Sequence, residues 1–212
     1  MSATRAAKGS GPERPGRTRQ GRAGRSRRTD HPGHGTGGTP ASAEAAGGGQ
    51  PRDVFLSAFR RHAAGVAVVT APGPAGFTAT SLTSMSLDPP LLSFGISAGS
   101  SSWPAIRDAD GFVVHILAGD QRDLAELFAR KGADRFADRD RWESLPGGEP
   151  LLYGTAAWLR CRTQERFMAG DHRLVVGRVV EGHTDPAHPP LLYHDGGFGA
   201  LAPHPSDRTR SD

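Results

Sequence analysis

The sequence predicts a mainly β fold, a barrel-like sheet decorated by a few peripheral helices and preceded by a disordered tail. Three observations carry this expectation. Short apolar runs rich in β-branched residues recur along the chain, among them Val66-Ala67-Val68-Val69-Thr70 and Leu91-Leu92-Ser93-Phe94-Gly95-Ile96-Ser97. The segments joining the early runs hold Gly and Pro and are too short for a helical crossover, so neighbouring strands pair antiparallel. Only a few stretches place apolar residues at helical spacing, and no internal repeat is present.

The tail covers residues 1–52. No Val, Ile, Leu, Phe, Tyr or Trp precedes Val54, so this segment has almost nothing to bury against the entropy that ordering would cost. It carries 10 Lys and Arg against 3 acids, a net +7, whereas the remainder carries 16 against 19, a net −3. The high overall pI therefore belongs to the tail. Its arginines, Arg17 to Arg28 in particular, offer only a non-specific contact to nucleic acid or an anionic surface. No aromatics interleave with them as a stacking surface needs, so a solvated extension is the plainer reading and no specific nucleic acid is expected. No apolar stretch approaches the length of a membrane span, and no apolar segment follows the basic stretch as in a targeting peptide. One cysteine, Cys161, excludes an intramolecular disulfide and fits a reducing cytoplasm. The folded domain is expected over residues 53–203, with a short C-terminal tail over 204–212.

The elements follow in order. Asp53 is placed to cap a short amphipathic helix with Phe55, Phe59 and His62 on one face, ended by Gly65. Residues 66–70 form a strand, and Pro72-Gly73-Pro74 turns into a hydroxyl-rich strand over residues 77–87, stopped by Asp88-Pro89-Pro90. Residues 91–97 are a buried strand. Ala98-Gly99-Ser100-Ser101-Ser102 is a polar turn with Ser102 as N-cap of a short helix opening at Trp103-Pro104. Residues 111–117 form an apolar strand. Asp120 to Asp123 have capping-box character before the stripe Leu124, Leu127 and Phe128. Residues 131–150 read as loop and 151–167 as one long strand. Gly170-Asp171-His172 makes a turn, residues 174–181 return, and residues 191–194 and 198–201 close the domain around Asp195-Gly196-Gly197.

Two features point to chemistry. Thr80, Ser81, Thr83 and Ser84 put hydroxyls at strand spacing with few charges nearby, which suits a polar, uncharged ring system with a sugar-like chain. The alternative is an edge strand with solvated hydroxyls. Ser97, Ser101 and Ser102, in the serine-rich turn before a helix, form a candidate phosphate cradle, with Arg130 and Lys131 as nearby cations. His115 lies in an apolar strand and reads as a satisfied core histidine, and Cys161 as a core residue. No pair among His183, His188, His194 and His204 has zinc spacing, so no metal is expected. G-x-S-x-G, P-loop and Rossmann glycine motifs are all absent.

In sequence order, a helix, a strand, the T-S-x-T-S strand ending in Asp88-Pro89-Pro90, the serine turn, Gly170-Asp171-His172 and the terminal Leu192-Tyr193-His194 to Phe198 stretch resemble the flavin reductase family of FMN-binding split barrels. The resemblance spans roughly residues 55–201. It implies a homodimer that holds FMN or FAD, reduces it with NADH or NADPH, and hands it to a flavin-dependent monooxygenase. It implies that Thr80, Ser81, Thr83, Ser84, Ser97, Ser101, Ser102 and Arg130 bind the flavin. It also implies that Gly170, Asp171 and His172 meet the nicotinamide, with His172 assisting hydride transfer. Trp103 stands where family members often carry Thr, Arg or Lys, which leaves FMN versus FAD open. Two alternatives stand beside this reading: the same fold with tightly bound flavin acting on an organic substrate, and a non-catalytic flavin-binding module.

Overall fold

The structure, a computed structural model, describes residues 49–202. The chain runs through α1 (Pro51–Arg60), β1 (Ala64–Gly65), β2 (Ala67–Ala71), β3 (Ala75–Ala79), β4 (Thr83–Leu87), β5 (Pro90–Ser97) and α2 (Trp103–Asp108). It continues with β6 (Gly111–Ile116), α3 (Arg122–Ala129), a 3-10 turn (Arg139–Arg141), β7 (Trp142–Ser144) and β8 (Pro150–Leu152). The long hairpin β9 (Ala157–Ala169) and β10 (His172–Thr184) follows, then β11 (Leu192–His194) and β12 (Gly197–Gly199).

Seven strands form one antiparallel sheet in the order β3-β2-β6-β9-β10-β5-β4. β3 and β4 are neighbours in sequence yet lie on opposite edges. The sheet therefore curls until residues 80–82 can step from one edge to the other, and β3 also touches β5.

Two apolar clusters hold this curl in place. Every residue of β2 is buried, and its alternation sends Ala67, Val69 and Ala71 into the barrel and Val68, with Val66 just before the strand, to the outer face. Inside, Phe94 packs between Phe77 and Phe112 with ring centroids 5.8 and 5.1 Å away. Outside, α3 covers the sheet with Leu124, Ala125 and Phe128. Gly76 permits that packing: a Cβ there would lie 2.7 Å from the Phe128 ring. The Thr78 hydroxyl adds a 2.6 Å bond to the Ala125 carbonyl.

The structure corrects several expected boundaries. α1 starts at Pro51, inside the expected tail; Gln50 takes the N-cap position without a side-chain bond, and Asp53 sits in the first turn. The helix ends at Arg60 with Arg61 as its C-cap, and Gly65 instead pairs with Leu192 on β11. The single hydroxyl-rich strand is two strands, because the chain must change edges at residues 80–82. Ser102 occupies the N-cap position of α2, but its hydroxyl turns away to donate to Gly76 O at 2.7 Å. Gln121, not Asp120, precedes α3, and its amide ties Ala118 N to Tyr153 O. The expected loop at residues 131–150 holds a β7–β8 hairpin, anchored by buried Phe136 and Trp142, with the Trp142 indole donating to Phe136 O at 3.2 Å. β9 starts at Ala157, and β10 runs from His172 instead of residue 174. The terminal tails, over residues 1–48 and 203–212, lie outside the described residues.

His115 is the core histidine the sequence suggested. It is fully buried, with Nδ1 3.1 Å from Val68 O and Nε2 accepting from Leu152 N at 3.1 Å. A carbonyl on one nitrogen and an N–H on the other fix the neutral tautomer with the proton on Nδ1. Burial pushes its pKa from 6.5 down to about 4. The folded pKa is depressed, so the unfolded chain binds the extra proton. Stability is full above 6.5 and falls as the pH drops toward 4, by about 3 kcal/mol at most. Urea unfolding at pH 7 and pH 4 is expected to show this loss, and His115→Gln is expected to flatten it; an equal loss in the variant would contradict the assignment.

Candidate functional site

The step between the sheet edges builds a cavity of about 420 Å³. Its floor is the outer face of β5. In the β5–β10 ladder Ser97 pairs with His172 and Gly95 with Leu174, so the Ser97 hydroxyl and the imidazole stand side by side. Gly95, two residues before Ser97 on the same face, leaves a bare strip of backbone. Thr80 and Ser81 form one wall, and Phe128, Ala129 and Arg135 the other.

Ser81 is spoken for. Its hydroxyl accepts from Gly95 N at 2.9 Å and donates to Gly95 O at 3.2 Å, standing in for the backbone ladder where β4 has ended. Ser97 accepts from Gly99 N at 3.2 Å, and Ser100 accepts from Ser102 N at 3.3 Å. Neither has a protein acceptor for its own hydroxyl proton among the described residues, so both can donate to a ligand.

His172 opens β10 directly after a two-residue turn. Gly170, at the first central position with φ +60°, takes a conformation that glycine adopts without strain. The Asp171 carbonyl accepts from Ala98 N at 2.9 Å, pinning the turn to the serine loop. The Asp171 carboxylate lies 2.7 Å from His172 Nδ1, and this hydrogen bond, with the attraction of the ring, holds its pKa below the usual carboxylate range. Nδ1–H therefore donates to Asp171, and Nε2 remains for a ligand. Beside it, the Arg173 guanidinium lies over the Trp103 ring, 5.9 Å from its centroid.

The expected site residues thus divide. Thr80, Ser81, Ser97 and His172 line one cavity. Ser101 and Ser102 line an adjoining cavity of about 310 Å³. Thr83 and Ser84 lie exposed on the edge strand β4, paired with Ser93 and Leu92 and outside these cavities. Arg130 lines a third cavity that shares Thr80 with the first. One contributor was missed by sequence reading; Ser100 was part of the serine turn read as a phosphate cradle. Arg135 had no signal, since it sits in the segment read as loop. Arg135 lines both the first and second cavities. Its Nε and one Nη donate to Phe128 O and Arg130 O at 3.1 and 2.8 Å, which clamps it to the end of α3. The other Nη has no partner among the described residues. Among the described residues no cluster of His, Cys, Asp and Glu could hold a metal ion.

Residues 59–202 match the family model described as flavin reductase like domain. The chain belongs to this family. It is 46% identical over 151 residues to an NADH:FMN oxidoreductase of Rhodococcus erythropolis, covering 68% of this chain and 79% of that one. An NADH:riboflavin 5′-phosphate oxidoreductase of Streptomyces pristinaespiralis is 44% identical over 156 residues, 70% of this chain and 88% of the relative. Among solved structures, a flavin reductase domain protein from Arthrobacter sp. FB24 superposes with a TM-score of 0.69 at 42% identity, over 72% of this chain and 97% of that one. The flavin reductase component of a bacterial two-component tryptophan halogenase superposes at 0.67 with 33% identity, over 72% and 99%. The split-barrel expectation agrees with these neighbours, and the curled seven-stranded sheet is its architecture here.

Proposed function

We propose that this chain is an NAD(P)H:flavin oxidoreductase that reduces FMN or FAD and passes it to a partner monooxygenase, working as a cytoplasmic homodimer. The observation that carries the reading is the cavity itself: hydroxyls, bare Gly95 backbone and the His172 imidazole, with Arg135 at its far wall the one charged side chain among the described residues that line it. A neutral tricyclic ring needs a flat apolar floor and uncharged donors and acceptors. A phosphate at the end of its side chain needs hydroxyl donors and a cation, which Ser100, Ser101 and Arg135 supply at the junction of two cavities. The residues present therefore fit a flavin. The names of the relatives, NADH:FMN oxidoreductases and reductase components of two-component systems, support the same activity and the same kind of partner.

A bound flavin supplies the acceptor for the hydride of NADH. The protein's part is to hold two rings in register and keep the approach open. Gly95 leaves room for a ring to lie on the sheet, Ser97 and Thr80 offer polar groups at its edge, and Ser81 keeps the floor rigid. His172 presents Nε2 at the mouth, its tautomer set by Asp171, and orients the nicotinamide amide there. With its side chain 52% exposed, His172 leaves the mouth open to exchange of flavin and nicotinamide with solvent.

Val54, Phe55, Leu56 and Phe59 of α1 are each about half exposed, an apolar face that supports self-association. Buried Cys161, with a thiol pKa pushed up to about 12 by burial, suits a compartment where no disulfide is needed.

Adding FMN to purified protein with NADH is expected to accelerate NADH consumption in proportion to flavin until saturation; no acceleration would contradict the reading. Arg135→Ala is expected to weaken FMN about tenfold and leave riboflavin, which lacks the phosphate, unchanged. Asp171→Asn is expected to raise KM for NADH several-fold with a smaller effect on kcat, and His172→Ala to do so more strongly. Sedimentation should give a dimer, converted to monomer by Phe55→Asp together with Phe59→Asp; a wild-type monomer would refute self-association.

A further inference from the structure

We propose that a fourth cavity, toward the far end of the β9–β10 hairpin from His172, binds a small dianionic oxoanion, a phosphate or a dicarboxylate, between Arg162 and Arg178. The cavity measures about 1240 Å³ and shares no lining residue with the three cavities described above. Arg178 follows His172 by six residues on β10, about 20 Å along the strand. The proposal therefore stands apart from the reading of the flavin site.

Arg162 and Arg178 are direct partners in the β9–β10 ladder. Their neighbours Cys161 and Val179 turn into the barrel core, so both arginine side chains leave the sheet on its outer face. Like charges directly opposite one another destabilise an antiparallel pair. Neither arginine makes a side-chain hydrogen bond or ion pair among the described residues to offset this. The acids on the lining are mostly engaged elsewhere. Glu149, 5% exposed, accepts from Nε and one Nη of Arg160 at 3.2 and 3.3 Å. Arg160 also lies 3.8 Å from Glu181, and Asp108 is bound by Arg107 at 2.6 Å. Gly147 leaves room for the Glu149–Arg160 clasp, since a Cβ there would lie 2.8 Å from Arg160 Nη2. Among the described lining residues, Asp110 is then the one acid without an ion pair, against two free guanidiniums. The uncompensated charge is positive. Each guanidinium presents a fork of N–H donors matched to a carboxylate or a phosphate, and an anion with two charged ends or three oxygens spans both. Pro72 and Val180 add apolar lining for a short carbon chain between two carboxylates.

The test is calorimetric titration of the full chain with inorganic phosphate and with succinate, at an ionic strength held constant with potassium chloride. Saturable binding of at least one is expected, at least tenfold weaker in Arg162→Gln and in Arg178→Gln. It is expected to be unchanged in Arg135→Ala, which separates it from an anion at the flavin site. The probe that binds more tightly identifies the source as a phosphate or a dicarboxylate. Melting supplies a second readout. In chloride alone, Arg178→Gln is expected to melt at or above the wild-type temperature, because a like-charge pair is relieved. Added anion is then expected to raise the melting temperature of the wild type and not of the variant. No binding of either probe at millimolar concentration, or equal binding by the wild type and Arg178→Gln, would overturn the proposal. So would an Arg178→Gln protein less stable than the wild type in chloride, since the arginine would then be bonded within the chain or to a second copy. FMN-dependent NADH consumption tests the flavin reading separately, and Arg178→Gln is expected to leave it intact when no anion is added.

Discussion

Ser81 closes the sheet where its backbone ladder stops. β3 and β4 are consecutive in the chain and lie on opposite edges, so the residues between them cannot pair as a strand. Gly95 would then be left at the floor of a cavity with an open N–H and an open carbonyl. The Ser81 hydroxyl answers both. An unsatisfied polar group here would cost about 1–3 kcal/mol. The bond also fixes the floor on which the proposed flavin lies, and it leaves the neighbouring hydroxyls of Ser97 and Ser100 to face a ligand.

The same curl links packing to chemistry. Because β2 is buried on both faces, α3 must lie against the outer one, and Gly76 lets Phe128 approach closely. The end of α3 then sits above the cavity. Its last carbonyls hold Arg135 across two cavities, while Arg130 faces a third. On the other side, the tight turn at Gly170 and the Asp171 carbonyl bring His172 to Ser97. A barrel core thus sets the positions of polar groups that never touch it.

Much of the fold was legible because its signals are local. The β-branched run of β2, the proline stop after β4 and the apolar strand around His115 each follow from a few adjacent residues. His115 could be read as structural because an imidazole in an apolar strand needs both nitrogens satisfied, and they are. The break at residues 80–82 was not legible: hydroxyls at spacing two look the same in one strand as in two. The β7–β8 hairpin hid among glycines and prolines, with only Trp142 to mark it. In the site, the Gly170-Asp171-His172 turn was clear. The partnership of His172 with Ser97 depends on register between distant strands, and the difference between Arg130 and Arg135 on how α3 ends. Neither is encoded at short range. Ser102 shows the converse: a plausible cap by position, drawn instead to the Gly76 carbonyl by the packing of α2 on the barrel.

The central claim is that the cavity between Gly95, Thr80, His172 and the end of α3 receives the flavin ring. A crystal structure of the protein with FMN tests it most directly. The account predicts the ring lying over Gly95, an edge within hydrogen-bonding distance of Ser97 or Thr80, and the phosphate reaching Arg135. Flavin bound on any other face of the sheet, with this cavity filled by solvent, would contradict it.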